Sequence, residues 1–505
     1  MGSIDPKIAR PVGVLESYST SRHNLGFYRC VCQTARYNVS LPLDSSDFMS
    51  VIEQAVAQAI LSHPVLQAGI IDENTRSPSW VYLPHLDLSQ LIRWEYLDAS
   101  TSSDRDAALQ RVLEARHSTL WPDLHRRPGY EFIILAPKTT KISGLEALRV
   151  DIVFAVHHAY ADGNSCLILH RTLHQALNNP LAVPSFDPLS HILTITTNTP
   201  LPPPQEALID FKLSWPFFIK TLWTEFAPSF LKPTSPTSAW AGKPISLHPD
   251  NNTRLRLVSF PAPVAADILT HCRARTPTLT PLLHVLILHS LARRLPVEAI
   301  INHSLTSNTP ISLRRLLPPG GKMGFDPDTS MGVILAGQDH RFPPSTVSQI
   351  RNVSQSPSDE VIFSLTASVS DELRHKVSTL PKDDITALMP WVKDYNAWFR
   401  QKLGRGRETT WEVSNVGAAD FGRRTDGEEK EGEGWKVDRL VFSQSGAVAG
   451  PAFAASVAGV KAGELTVTFS WQEGIADEGL VEGVEEDLRE WLTGFARTGR
   501  FGDAA

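Results

Sequence analysis

The chain has 505 residues, 42% hydrophobic and 20% charged, with a formal net charge of −6, a balance that excludes a broad basic face for nucleic acid. Its length leaves room for about three domains or two large ones, and four cysteines are too few for a disulfide framework. Met1–Pro6 lacks the apolar run of a signal peptide, Pro6 stands where a myristoylation signal has Ser or Thr, and no stretch of about 18 apolar residues marks a transmembrane helix, so a cytoplasmic monomer is expected.

In chain order, Tyr28–Val39 is extended and puts Cys30 and Cys32 on one side of a strand, as buried reduced thiols. Phe48, Val51, Ile52, Ala55, Val56 and Ala59 recur at helical spacing, and Pro64 ends that run. A second amphipathic stretch covers Arg105–Leu120. Tyr130–Leu135 and Leu148–Val156 are strand-like, joined by a polar turn, and Ser165–Leu177 is an amphipathic helix. Residues 194–204 and 228–248 are Pro-rich linkers. Between them Leu208, Phe211, Trp215, Phe218, Leu222 and Phe226 fall on one helical face, which Pro216 is expected to interrupt or kink. A packed linker helix is the plain reading. A lid or a membrane-surface contact is the functional one, and Asp210 and Glu225 offset Lys212 and Lys220 against the latter. Further on, Arg254–Phe260 alternates as a strand, and Thr280 can cap a helix with Pro281 at its first position. His284 and His289 on that helix read as packed or surface residues. Thr425–Gly434 is a solvated loop, Leu465–Trp471 a strand and Leu480–Phe495 a closing helix. These elements divide the chain into a lobe over 1–195, a linker over 196–250 and a second lobe over 251–505.

The chemistry concentrates in His157-His158-Ala159-Tyr160-Ala161-Asp162-Gly163, between the strand ending at Val156 and the helix that follows. Adjacent side chains at a strand end point to opposite sides, so one histidine of the pair can face a given cavity. A histidine titrates near neutrality, so it can take a proton from an attacking hydroxyl and return it to a leaving thiolate without a covalent intermediate. No CxxC pair or HExxH motif points to a metal.

The motif resembles the H-H-x-x-x-D-G signature of the CoA-dependent acyltransferase superfamily. Pro11-Val12-Gly13 through Glu16 and Arg22-His23-Asn24-Leu25-Gly26 are similar to the opening of its fungal alcohol acetyltransferase group. Pro310-Ile311-Ser312-Leu313-Arg314 resembles that group's P-x-D-L-R strand, with Ser312 in place of Asp, and Val413-Ser414-Asn415-Val416-Gly417 resembles its S-N-x-G strand. The resemblance implies an α/β, two-lobe, chloramphenicol-acetyltransferase-like fold, with mixed sheets flanked by helices and a tunnel between the lobes. It implies acetyl-CoA as co-substrate, no resident cofactor or metal, and a small-molecule alcohol as the other partner. His158 is then the general base and His157 its support. Asp162 points away from substrate toward a partner, for which Arg314 is the candidate, and Gly163 relieves crowding where the loop enters the helix. Of Ser414 and Asn415 only one side chain can face the tunnel, and Ser414 is the preferred oxyanion donor, with Asn415 assigned to the co-substrate. Arg400, Lys402, Arg405 and Arg407 form the densest basic cluster, either a CoA phosphate site or a solvated loop.

Two alternatives keep the fold. One is a stand-alone condensation-type or N-acyltransferase taking a carrier-bound thioester. The other is a non-catalytic small-molecule-binding protein, against which the intact motif speaks. A serine hydrolase would need a G-x-S-x-G elbow, and Gln444-Ser445-Gly446 lacks the first glycine.

Overall fold

The computed structural model describes residues 7–39, 45–97, 101–137, 148–226, 239–247, 252–275, 278–352, 358–422 and 434–501. The polar turn before Leu148, most of the linker at 228–248 and nearly all of Thr425–Gly434 lie outside these residues.

The first lobe is built on a five-stranded sheet in the order Trp435–Gln444, Val31–Val39, Leu148–Val156, Tyr130–Pro137, Ile92–Leu97. All neighbours are antiparallel except the last pair. Leu148–Val156 is central and buried along both faces, which explains its near-continuous apolar sequence. Helices Ser45–Ser62 and Gly163–Asn178 pack against each other beside this sheet.

The second lobe carries a six-stranded sheet in the order Thr253–Phe260, Leu465–Gln472, Phe453–Val460, Trp411–Ala419, Leu305–Ser312, Leu335–Phe342. Trp411–Ala419 runs parallel to both neighbours, and the other pairs are antiparallel. Helix Leu279–Arg294 is buried nearly all round among Pro344–Asn352, Asp359–Thr379 and Glu478–Thr498. His284 and His289 are both packed inside, His284 against the Thr309 hydroxyl at 2.7 Å.

Two connections tie the lobes. Strand Trp435–Gln444 comes from the second half of the sequence but pairs with Val31–Val39 of the first sheet. Helix Ser102–His117 reaches the other way: Glu114 accepts a hydrogen bond from the Leu255 amide at 2.8 Å. A division of the chain at the linker therefore does not separate the two sheets.

The linker helix differs from its sequence pattern. Helix Gln205–Leu208 ends, the chain bridges to Lys382 at Lys212, and a new helix runs Trp215–Phe226. Pro216 sits in the first turn of that helix, where an N–H has no intrahelical acceptor, so it starts the helix instead of kinking it. The shift turns Trp215, Ile219 and Trp223 outward, at 75%, 60% and 53% exposure. Thr280 also departs from expectation. The helix begins at Leu279 with Thr278 as its cap residue, and the Thr280 hydroxyl accepts from Asn415.

Candidate active site

Strand Leu148–Val156 aligns Val156 with Val31 on one side and Tyr130 on the other. The chain leaves the sheet there, pinned by a hydrogen bond from the His157 amide to the Gly129 carbonyl at 2.7 Å. The next two side chains diverge. His157 turns into the first lobe and is fully buried. His158 lines a cavity of about 980 Å³ whose walls come from both lobes.

His157 belongs to a hydrogen-bonded group whose tautomers are dictated by the backbone. Its Nδ1 accepts from the Ala159 amide at 3.0 Å, so its Nε2 carries the proton and donates to Glu73 Oε1 at 3.3 Å. His23 mirrors it: Nε2 accepts from the Trp121 amide at 3.0 Å and Nδ1 donates to the same Glu73 oxygen at 2.8 Å. Burial, then the neighbouring His23, lowers His157 to about 4. Burial would raise Glu73, but the hydrogen bonds from His157 and His23 outweigh it and hold the carboxyl at about 2. The three groups lie close enough to surround an ion, yet both ring nitrogens facing Glu73 are N–H donors, which cannot ligate.

His158 has a different environment. Its Nδ1 is sealed from solvent without a side-chain partner, and the rest of the ring borders the cavity. Burial, then the charge of Arg22, lowers it to about 4, so its imidazole is neutral at pH 7. The Tyr28 ring lies 5.8 Å from it, centroid to centroid.

Asp162 is the N-cap of helix Gly163–Asn178. Its Oδ1 accepts from the Ser165 amide at 2.7 Å and the Ser165 hydroxyl at 2.8 Å, and its Oδ2 accepts from the Ile334 amide at 3.0 Å. Arg314 Nη2 is 3.5 Å from Oδ1. Arg314's shorter bonds go to the Ser165 hydroxyl at 2.9 Å and to the carbonyls of Pro327 and Ser330 at 3.0 and 2.8 Å. Ser165 thus sits between the carboxylate and the guanidinium, and the cap couples the motif to the 314–334 loop of the second lobe. Gly163 meets strand Trp411–Ala419 so closely that a Cβ would lie 2.4 Å from Val416 Cγ1.

That strand forms the opposite wall. Trp411 and Val413 face the second core, while Glu412, Ser414 and Val416 face the cavity. The Ser414 hydroxyl has no hydrogen-bond partner among the described residues. Asn415 also borders the cavity, but its amide donates to the Thr280 hydroxyl at 3.0 Å and its oxygen accepts from the Gly417 amide at 2.8 Å. Glu412 is raised by burial, against the opposing hydrogen bond from Gln444, whose oxygen accepts from the Tyr28 hydroxyl at 3.0 Å.

The basic cluster does not stay together. Arg407 is buried, and its guanidinium is consumed by the Lys243, Ala447, Gly450 and Pro451 carbonyls and by Gln472. Burial lowers it to about 10, and each of its three nitrogens is already bonded within the protein. Lys402 lies over the Trp398 ring at 4.0 Å. Arg400 is exposed, and Arg405 alone of the four borders the cavity. Cys30 and Cys32 are buried free thiols, 3.9 Å apart.

Sequence reasoning gave no role to Glu73, Tyr28, Glu412 or Arg22. Glu73 lies between strands Ala68–Ile71 and Ser79–Tyr82, in a polar turn whose composition resembles any solvated one. Glu412 sits two residues before Ser414, so the alternation that turns Ser414 inward turns it inward as well.

Two lobes with a histidine of the paired motif bordering the cavity between them are the architecture of an acyltransferase. The alcohol acetyltransferase family matches residues 11–482, and the chain belongs to that family. It is 30% identical over 504 residues to the probable alcohol acetyltransferase FCK4 of Fusarium pseudograminearum (strain CS3096), covering 98% of this chain and 97% of the relative. The probable alcohol acetyltransferase crmB of Aspergillus fumigatus (strain ATCC MYA-4609 / CBS 101355 / FGSC A1100 / Af293) is 25% identical, over 95% of this chain and 98% of its own. Among solved structures, TRI3 trichothecene 15-O-acetyltransferase from Fusarium sporotrichioides has the same fold, with TM-score 0.69 at 15% identity over 96% of this chain and 95% of that one. The first condensation domain of the calcium-dependent antibiotic synthetase, with a substrate analogue, aligns at TM-score 0.56 and 14% identity over 99% of this chain and 97% of its own. No helix among the described residues is long and apolar enough to cross a membrane.

Proposed function

We propose that the protein moves an acetyl group from acetyl-CoA to a hydroxyl of a hydrophobic small molecule, with His158 as general base. The observation that carries this is the fate of the two histidines: one is locked in the core by Glu73, and the other borders a largely apolar interlobe cavity with a neutral imidazole. A neutral imidazole accepts the hydroxyl proton as the alkoxide attacks the thioester carbonyl. The tetrahedral intermediate then expels the CoA thiolate, and the same imidazolium returns the proton to sulfur. The developing oxyanion needs a preorganised donor, and the unpartnered Ser414 hydroxyl on the facing strand is suited to that role. Arg405 is positioned at the cavity to meet a CoA phosphate, and Asp162 and Arg314 hold the loop in shape from behind. Thiol release from acetyl-CoA, followed with and without a panel of alcohols, tests the proposal. Alcohol-dependent release with an acetyl ester as product is expected. No release from acetyl-CoA, with transfer only from a carrier-bound thioester, would overturn the donor assignment.

A further inference from the structure

Resting on the acyl-transfer reading above, we infer that Arg22 is a carboxylate-binding subsite in the acceptor end of the cavity, selecting hydrophobic acceptors that bear an acidic group. The side chain borders the cavity and is stacked between two aromatic rings, with its guanidinium carbon 4.5 Å from the Tyr18 centroid and 4.5 Å from the Tyr28 centroid. Its main-chain carbonyl is tied down by the amides of Phe27 and Tyr28 at 2.7 and 3.2 Å. The guanidinium is thus held between the two rings, at the cavity wall.

The guanidinium donors have no partner among the described residues. Nε is buried without an acceptor, and no described carboxylate forms an ion pair with Arg22. Buried arginines elsewhere are treated differently: Arg407 is bonded through Nε, Nη1 and Nη2, and Arg314 through Nη1 and Nη2 with only its Nε lacking an acceptor. Holding a cation at an apolar wall with an unsatisfied N–H costs stability, and a ligand carboxylate would remove that cost with a charge-assisted, fork-shaped pair. Glu412, also on the wall, feels the charge of Arg22 but makes no ion pair with it, and its Oε1 accepts from Gln444.

Position separates this ligand group from the phosphates of CoA. Tyr28 stacks on Arg22 and is also the ring beside His158, so Arg22 lies one ring away from the proposed base. The pantetheine arm keeps the phosphates at the far end from the thioester, which leaves the acceptor as the molecule whose oxygens reach this stack.

Equilibrium binding of two chain-matched probes, octanoate and octan-1-ol, to the intact protein at pH 8 tests the subsite without requiring turnover. Octanoate is expected to bind about tenfold tighter, the scale of one hydrogen bond to a charged group. The preference should vanish in Arg22→Met and survive in part in Arg22→Lys. Octan-1-ol binding as tightly as octanoate in the wild type overturns the inference even where a variant fails to fold, as does an octanoate preference that persists in a folded Arg22→Met. Failure of alcohol-dependent thiol release would overturn the acyl-transfer reading alone, since the binding measurement does not depend on it.

Discussion

At the scale of single residues, the paired histidines have different surroundings, His157 bonded to Glu73 in the core and His158 at the cavity. His158→Ala removes the imidazole at the cavity and should lower turnover about 100-fold or more, the range for a lost general base, with the thermal midpoint little changed. His157→Ala removes a buried donor to Glu73 and leaves that carboxylate short of a partner, so its first effect should be a stability loss of about 2–3 kcal/mol. Steady-state rates and thermal melts of both variants check this, and exchanged phenotypes would reverse the assignment. The pH profile gives a second check. Because burial and Arg22 lower His158 to about 4, the neutral base persists well below the ordinary histidine range. The acid limb of kcat/KM should therefore fall near pH 4 and not near 6.5. An expectation drawn from charge alone misleads elsewhere: Arg407 belongs to a basic run in sequence, but the carbonyls that surround it come from Lys243 and from residues 447–451, distant along the chain.

Strand and helix ends decide which side chains can cooperate. The junction from Leu148–Val156 through the motif into the next helix was legible because a continuous apolar run and a helical period follow one another locally, but the cap that Asp162 makes, which starts the helix at Gly163 and not Ser165, was not read. Alternation says that one of Ser414 and Asn415 turns inward without saying which, and in the structure both border the cavity. Trp215 was not legible, since Pro216 reads as a kink unless the chain is known to begin a helix there. Two predictions belong here. Asp162→Asn places an amide N–H against either the Ser165 or the Ile334 donor, and Arg314→Ala frees the 314–334 loop. Each should lower stability, by about 3–5 kcal/mol if the pair behaves as a broken buried ion pair, and the double variant should lose less than the sum because Ser165 links them. Additive losses in chemical denaturation would show that the two ends do not communicate. Ser414→Ala, on the facing strand, should reduce turnover about 100-fold with little change in the KM for acetyl-CoA, as befits a donor that matters only in the transition state. A rate loss that merely tracks the melting temperature would mark Ser414 as structural.

Across the whole molecule, the pairing of Trp435–Gln444 with the first sheet is the feature local patterning could not supply. Its partner lies some four hundred positions earlier, and nothing in an apolar alternating segment names its neighbour. This exchange, together with helix Ser102–His117, holds the lobes as walls of one cavity and makes their stability shared. Both lobes also bury neutral imidazoles. His63, His157, His158, His170 and His289 are each lowered to about 4 from the ordinary 6.5, chiefly by burial. In the unfolded chain these groups take up protons as pH falls through 6.5, while in the fold they do not until about 4, so the unfolded state binds more protons across that window. Stability is therefore full above 6.5 and falls as pH drops towards 4. Glu73, at about 2 against an ordinary 4.5, adds a separate loss only below 4.5. Thermal midpoints should be nearly level from pH 8 to 6.5 and decline steadily from 6.5 to 4.5, before the carboxylates contribute. His158→Ala should leave most of that slope in place, because the other four imidazoles remain. A midpoint that stays level to pH 5 would mean that these histidines meet water in the native protein, and with it the case for a neutral, desolvated His158 would fail.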